Sequence, residues 1–246
     1  MLEMTFYTRQ EIEDQLEDFR TLFAYHSNKI ENEKVSYNDV KSVFEDGKVI
    51  GYSGDLKTLF EIDNQKKCHD YLLDKIVEKQ KIDLDFVKDV HKLLTERTYD
   101  ESRYAKGERP GEFKKGDYIV GEKEIGSSAE NVEKDMLELI DEINNVDSDD
   151  ILTIATYFHL RFESIHPFAD GNGRTGRTLL NYFLMINNIR PLIIYNEDKK
   201  YYYECLRAYD DKEDIEPLRK FLEYSQNKTW EKKDNTRNRS LKSFLF

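Results

Sequence analysis

An all-α domain with a single short β-prone interruption is predicted by three features of the sequence. Apolar residues recur at three- and four-residue spacing along most of the chain, as in Ile12, Leu16, Phe19 and Phe23. Side chains suited to helix capping precede these runs: Thr8 with Glu11, Ser36 with Asp39, Asp83, and Ser127 with Glu130. Glycines instead crowd residues 100–126, where Tyr118-Ile119-Val120 is the clear β-prone run and a hairpin is the natural reading.

Taken in order, the first helix runs from about residue 9 into the twenties. A second follows Ser36 with Val40, Val43 and Phe44 inward. A long helix from Asp55 to about Lys79 buries Leu56, Leu59, Phe60, Ile62, Tyr71, Leu72 and Ile76. Asp83 caps a fourth helix, on which His91 reads as a surface or packing residue. Beyond the glycine-rich segment, Ser127 opens a helix through Met136 and Leu139, and Asp150 opens another through Phe158. The remaining helices start near Asn172, after Lys199 and around Pro217, and residues 231–246 read as a polar tail.

Composition bounds the function. The 246 residues carry 38 basic and 50 acidic side chains, a net charge of -12, which disfavours nucleic acid or an anionic membrane as a general partner. Cys68 and Cys205 are far apart and lack a metal-ligand spacing, so they read as reduced core thiols. With no membrane-spanning run and no basic-then-apolar start, the expected location is the cytoplasm.

Chemistry concentrates in the twelve residues His166-Pro-Phe-Ala-Asp-Gly-Asn-Gly-Arg-Thr-Gly-Arg177. His166 accepts a proton near neutrality, and Pro167 biases it towards an extended, loop-borne conformation. Phe168 anchors the loop to the core. Asp170 is a hard oxygen ligand suited to Mg2+ shared with substrate phosphates. Gly171, Asn172 and Gly173 precede a helical apolar run, so their N–H groups form an anion-binding nest at a helix start. Arg174 and Arg177, three apart, share one face of that first turn beside the anion. Together these groups describe a polyphosphate site with a base at its edge.

The stretch resembles the signature of the Fic family, His-Pro-Phe-x-Asp/Glu-Gly-Asn-Gly-Arg-x-x-Arg, at every fixed position. The resemblance implies a Fic fold, a helical bundle with a small β-hairpin flap, and Mg2+-dependent transfer of AMP from ATP to a Ser, Thr or Tyr hydroxyl of a target protein or of the chain itself. His166 would deprotonate the hydroxyl and Asp170 hold the metal. Gly171, Asn172 and Gly173 would cradle phosphates, and Arg174 and Arg177 neutralise the leaving pyrophosphate. Removal of AMP by the same site, transfer of another nucleotide, and a non-enzymatic nucleotide-binding module are the alternatives.

Ser27-Asn-Lys-Ile-Glu31-Asn32 resembles the family's inhibitory motif, Ser/Thr-x-x-x-Glu-Gly/Asn, whose glutamate pairs with the second signature arginine, here Arg177. A carboxylate and a γ-phosphate then compete for one planar donor. The implied organisation is an inhibitory segment over residues 1–35 and a catalytic domain over 36–230. Its flap, at about 109–122, would dock the target through Phe113, Tyr118, Ile119 and Val120. Asn181 and Tyr202 are further nucleotide-contact candidates and His159 a supporting residue under the loop. Family members often form homodimers that bury the inhibitory helix.

Overall fold

A computed structural model describes residues 2–49, 51–120, 123–124 and 126–237. Ten α-helices account for most of them. They are α1 Arg9–Glu31, α2 Tyr37–Asp46, α3 Leu56–Val77, α4 Leu84–Thr95, α5 Glu101–Ala105, α6 Val132–Asn145, α7 Ile151–Ile165, α8 Asn172–Ile186, α9 Lys199–Lys212 and α10 Glu216–Arg237. A two-residue antiparallel ladder lies between α5 and α6, where β1 Ile119–Val120 pairs with β2 Lys123–Glu124.

The local signals explain most starts. Thr8 and Glu11 form a reciprocal capping box on α1, and Ser36, Asp55 and Asp83 each accept a first-turn N–H at α2, α3 and α4. Helix α6 differs from its prediction. It begins at Val132 behind Asn131 with no side-chain cap bond, so the Ser127/Glu130 pair does not open it. Leu56, expected inside, lies in the first turn of α3 and is exposed. Helix α10 carries on to Arg237, into the segment expected to be a tail, whose residues 238–246 lie outside the described part.

Packing centres on α8. Thirteen of its fifteen residues are buried, including Leu179, Leu180, Tyr182 and Leu184. Helices α1, α3, α4 and α7 pack around it. A helix surrounded on all sides needs no solvent-facing stripe, which is why polar Thr175, Thr178 and Asn181 are buried alongside the leucines. On α1, Ile12, Leu16, Phe19 and Phe23 go into the same core, each contributing about 1.5–3 kcal/mol of burial free energy. The result fixes the last turn of α1 over the first turn of α8. No described helix is long and apolar enough to cross a membrane.

Candidate active site

The loop between α7 and α8 is shaped by its own residues. His166 caps α7 in the left-handed region, φ 51° and ψ 61°, with its N–H donated to the Phe162 carbonyl at 3.0 Å. This corrects the extended geometry expected of a residue before proline: the helix-terminating turn overrides the local bias. Pro167 follows without an N–H and cannot prolong the helix. Phe168 is fully buried, stacked on the His91 ring at 3.6 Å between centroids.

Asn172 clasps the loop, donating Nδ2 to the Phe168 carbonyl at 2.7 Å while Oδ1 accepts the Phe168 N–H at 2.9 Å. Its side chain is thus consumed by the loop, and what it offers the cleft is backbone. Gly171 stands before α8 at φ +81°, and an added Cβ there would lie 2.5 Å from Thr95 Cγ2. The first helical N–H groups of α8 have no partner from a capping side chain and open onto the cleft.

That cleft, of about 470 Å3, is lined by His166, Asp170, the nest residues, Arg174, Glu31, Lys57 and Glu61 among others. Burial, helped by the positive charge of Lys114, moves the His166 imidazole below its ordinary pKa. At neutral pH it is therefore an unprotonated base. Burial opposes ionisation of Asp170, but Arg174, Lys57 and Arg103 outweigh it and hold the carboxyl below the usual range. Asp170 Oδ2 lies 3.3 Å from Arg103 Nη2 and 3.6 Å from Lys57 Nζ.

Of the two readings for His91, surface or packing, the structure bears out packing. The side chain is fully buried beneath the loop, accepting the Gly111 N–H at Nδ1 (2.9 Å), so its Nε2–H donates to the Asp170 carbonyl (2.9 Å). Burial keeps this imidazole neutral, with its pKa depressed to about 3.

The two signature arginines part company. Arg174 reaches the cleft, while Arg177 is 2% exposed behind Glu31 and is not part of the lining. Its Nη2 donates to Glu31 Oε1 at 2.8 Å and to the Ser27 carbonyl at 2.9 Å, and its Nε donates to Ser27 Oγ at 3.2 Å. A Cβ on Gly173 would fall 2.4 Å from Glu31 Oε1, so the glutamate comes this close only because that residue is glycine. Asn32 ends α1 and donates Nδ2 to Thr58 Oγ1 and Glu61 Oε2.

Comparison with known proteins gives the same picture. Residues 81–184 match the model of the Fic/DOC family, a span that includes the whole signature. Over that span the chain is similar to the Fic/DOC family. It is similar to a protein adenylyltransferase Fic of Nematostella vectensis, 26% identical over 203 residues, covering 80% of this chain and 45% of the relative. It is also similar to protein adenylyltransferase fic-1 of Caenorhabditis elegans, 26% identical over 210 residues, covering 82% and 38%. This chain thus spans less than half the length of these curated relatives. A Fic domain containing signaling protein from Bacteroides thetaiotaomicron shares the fold, with TM-score 0.77 at 21% identity over 91% of this chain and 88% of that one.

Within this chain, two residues expected as nucleotide contacts are bound elsewhere. Asn181 is buried and both halves of its amide are bound to the Leu192 backbone, Nδ2 to its carbonyl and Oδ1 to its N–H. It staples α8 to the following segment because the packed flank of the helix, rather than the cleft, lies at its position. Tyr202 is 1% exposed, with its hydroxyl 2.8 Å from Nε2 of fully buried His159. These two residues form a polar pair beneath Arg177, a supporting place for His159 and no opening for Tyr202.

The segment expected as the flap differs too. Residues 109–118 hold no strand, and the ladder begins only at Ile119. Phe113 packs its ring 5.5 Å from Phe168, an inward task, and Tyr118 bonds Glu108. The Ile119 and Val120 side chains lie outside the described part.

Proposed function

We propose that this Fic domain transfers AMP from ATP to a hydroxyl of a protein, and that Glu31 restrains the transfer. The supporting observation is that an unprotonated His166, an ionised Asp170, the open N-terminus of α8 and Arg174 line one cleft. The relatives named protein adenylyltransferase support the same chemistry.

In the transfer the acceptor oxygen attacks the α-phosphorus, its proton passes to His166, and the bond to the bridging oxygen of pyrophosphate breaks. The nest and Arg174 hold the phosphates in line and stabilise charge on the leaving group. The donor set fits Mg2+. Asp170 is kept ionised and is balanced by Lys57 and Arg103, and one carboxylate with substrate phosphates is a set this ion accepts. Asp170 would hold such an ion, which would supply positive charge to the substrate phosphates.

Glu31 holds the Nη2 donor of Arg177, which a γ-phosphate would use. It also lines the same cleft as His166, which favours one second reading, hydrolytic removal of AMP with Glu31 orienting water. Intact-mass spectrometry of wild type and Glu31→Gly with ATP and Mg2+ tests the first reading. One added AMP, greater on the variant and lost when His166 is also Ala, is expected. With an AMP-modified protein as substrate instead, faster loss of AMP by wild type than by Glu31→Gly would favour the second.

A further inference from the structure

A second carboxylate, outside both motifs, touches the signature. Glu61 projects from α3 with 6% exposure, and its Oε1 lies 3.3 Å from Arg174 Nη1. Its other oxygen accepts Asn32 Nδ2 at 3.1 Å, and Lys57 Nζ is 4.0 Å from Oε1. Asn32 in turn bonds Thr58 Oγ1, itself held by Asp55 Oδ1 at 2.8 Å. Glu61 is therefore fixed from two helices, whereas the Glu31 side chain is 39% exposed.

Arg174 is oriented by this contact. Its guanidinium is planar and carries donors on two edges. Nη1 faces Glu61, while Nη2 points towards the loop, 3.6 Å from where a Cβ of Gly171 would stand. Nε and Nη1 are buried and have no hydrogen-bond partner, so Glu61 acts as a neighbouring charge rather than as an aligned acceptor. A counter-ion in that place compensates a buried cation without occupying the edge turned to the nest. Without it, the guanidinium would be free to turn towards other acceptors, and its buried charge would be uncompensated.

We infer that Glu61 is a positioning residue for nucleotide polyphosphate: it holds Arg174 with one edge turned to the nest, and Asn32 ties it to the helix that carries Glu31. The inference rests on the nucleotide reading of the cleft. It assigns Asn32 a task beyond ending α1, since the same amide spans the end of the restraining helix and the carboxylate behind the first signature arginine.

The test is calorimetric titration of Mg2+-ATP and of AMP into Glu31→Gly protein, alone and combined with Glu61→Gln, Glu61→Ala or Glu61→Asp, with melting temperatures recorded for each. Glu61→Gln and Glu61→Ala should weaken ATP about tenfold, the scale of one oriented charge-assisted hydrogen bond. AMP, which lacks the outer phosphates, should change less than about twofold on the same reasoning, and Glu61→Asp should recover part of the loss. Glu61→Gln keeps the shape and an acceptor for Asn32, so it reports on charge even where Ala unfolds. Unchanged or tighter ATP binding, or equal weakening of ATP and AMP, would overturn the inference while leaving the nucleotide site intact. Failure of the Glu31→Gly parent to bind ATP would overturn the nucleotide reading and this inference with it.

Discussion

Arg177 and Glu31, 146 residues apart in the chain, meet at 2.8 Å across the junction of α1 and α8. Arg177 is sealed, and Ser27 takes two of its remaining donors. The Nε and Nη2 edge of the guanidinium is thus taken up by residues near the end of one helix. Glu31→Gly should raise transfer by an order of magnitude or more, roughly the effect of returning a charge-assisted bidentate donor to phosphate. The initial rate of AMP incorporation, read by mass, checks it; an equal rate in both proteins would sink the restraint.

His166→Ala should abolish transfer and leave nucleotide affinity nearly intact, because the imidazole takes a proton and holds no phosphate in the proposed chemistry. Its pKa is lowered by burial, so the acid limb of the rate profile should fall below the ordinary histidine value of 6.5. Rate against pH in the Glu31→Gly background measures that limb. A midpoint above the ordinary value would contradict the assignment.

Phe168→Ala should destabilise the whole domain, since the ring is fully buried against His91. A loss of roughly 3–5 kcal/mol is the usual cost of emptying such a site. At about 2–4 °C per kcal/mol for a domain this size, the melting temperature should drop by roughly 6–20 °C. A drop of a degree or two would mean that the loop is not anchored through this ring.

Glu163 carries a pH-dependent penalty. Burial pushes its carboxyl up to about 7, opposed by Arg177 and reinforced by Glu31 and Asp210. Its Oε1 has no hydrogen-bond partner, and the facing His159 Nε2 is 4.0 Å away. The unfolded chain ionises this group near 4.5 while the folded chain keeps its proton until about 7, so stability falls as pH rises through that window. Glu163→Gln should remove that slope, raising the melting temperature at pH 8 relative to wild type and not at pH 4. Parallel melting curves across the window would rule the penalty out.

Much of the site was legible because its parts are consecutive. The proton acceptor, metal-ligand candidate, nest and arginines of residues 166–177 fall within one loop and one helical turn, where spacing alone dictates shared faces. Caps such as Thr8 and Asp83 were legible for the same reason. The contacts of His91 and Glu61 were not, for their partners Asp170 and Arg174 come from elements far along the chain. His91 shares the apolar face of its helix with Val87, Val90 and Leu94, so packing was legible, but the distant backbone groups its ring nitrogens meet were not. A pre-proline rule misjudged His166 because a helix end competes with the local preference and wins. Asn181 and Tyr202 were expected from helical spacing and a family pattern respectively, neither of which reveals that their polar groups are bound to the Leu192 backbone and to His159.

The unequal exposure of the Arg177–Glu31 pair carries a mechanical consequence. Pulling α1 away would unseat Ile12, Leu16, Phe19 and Phe23 together, at about 1.5–3 kcal/mol each. Turning Glu31 outward unseats no core residue and needs only rotation about side-chain torsions, a motion on the picosecond-to-nanosecond scale for exposed groups. Under the proposed restraint, an incoming polyphosphate would contend with one carboxylate and not with a helix. The threshold for opening would then be set by the chemistry of two side chains, so a single substitution would reset it while the scaffold stays whole.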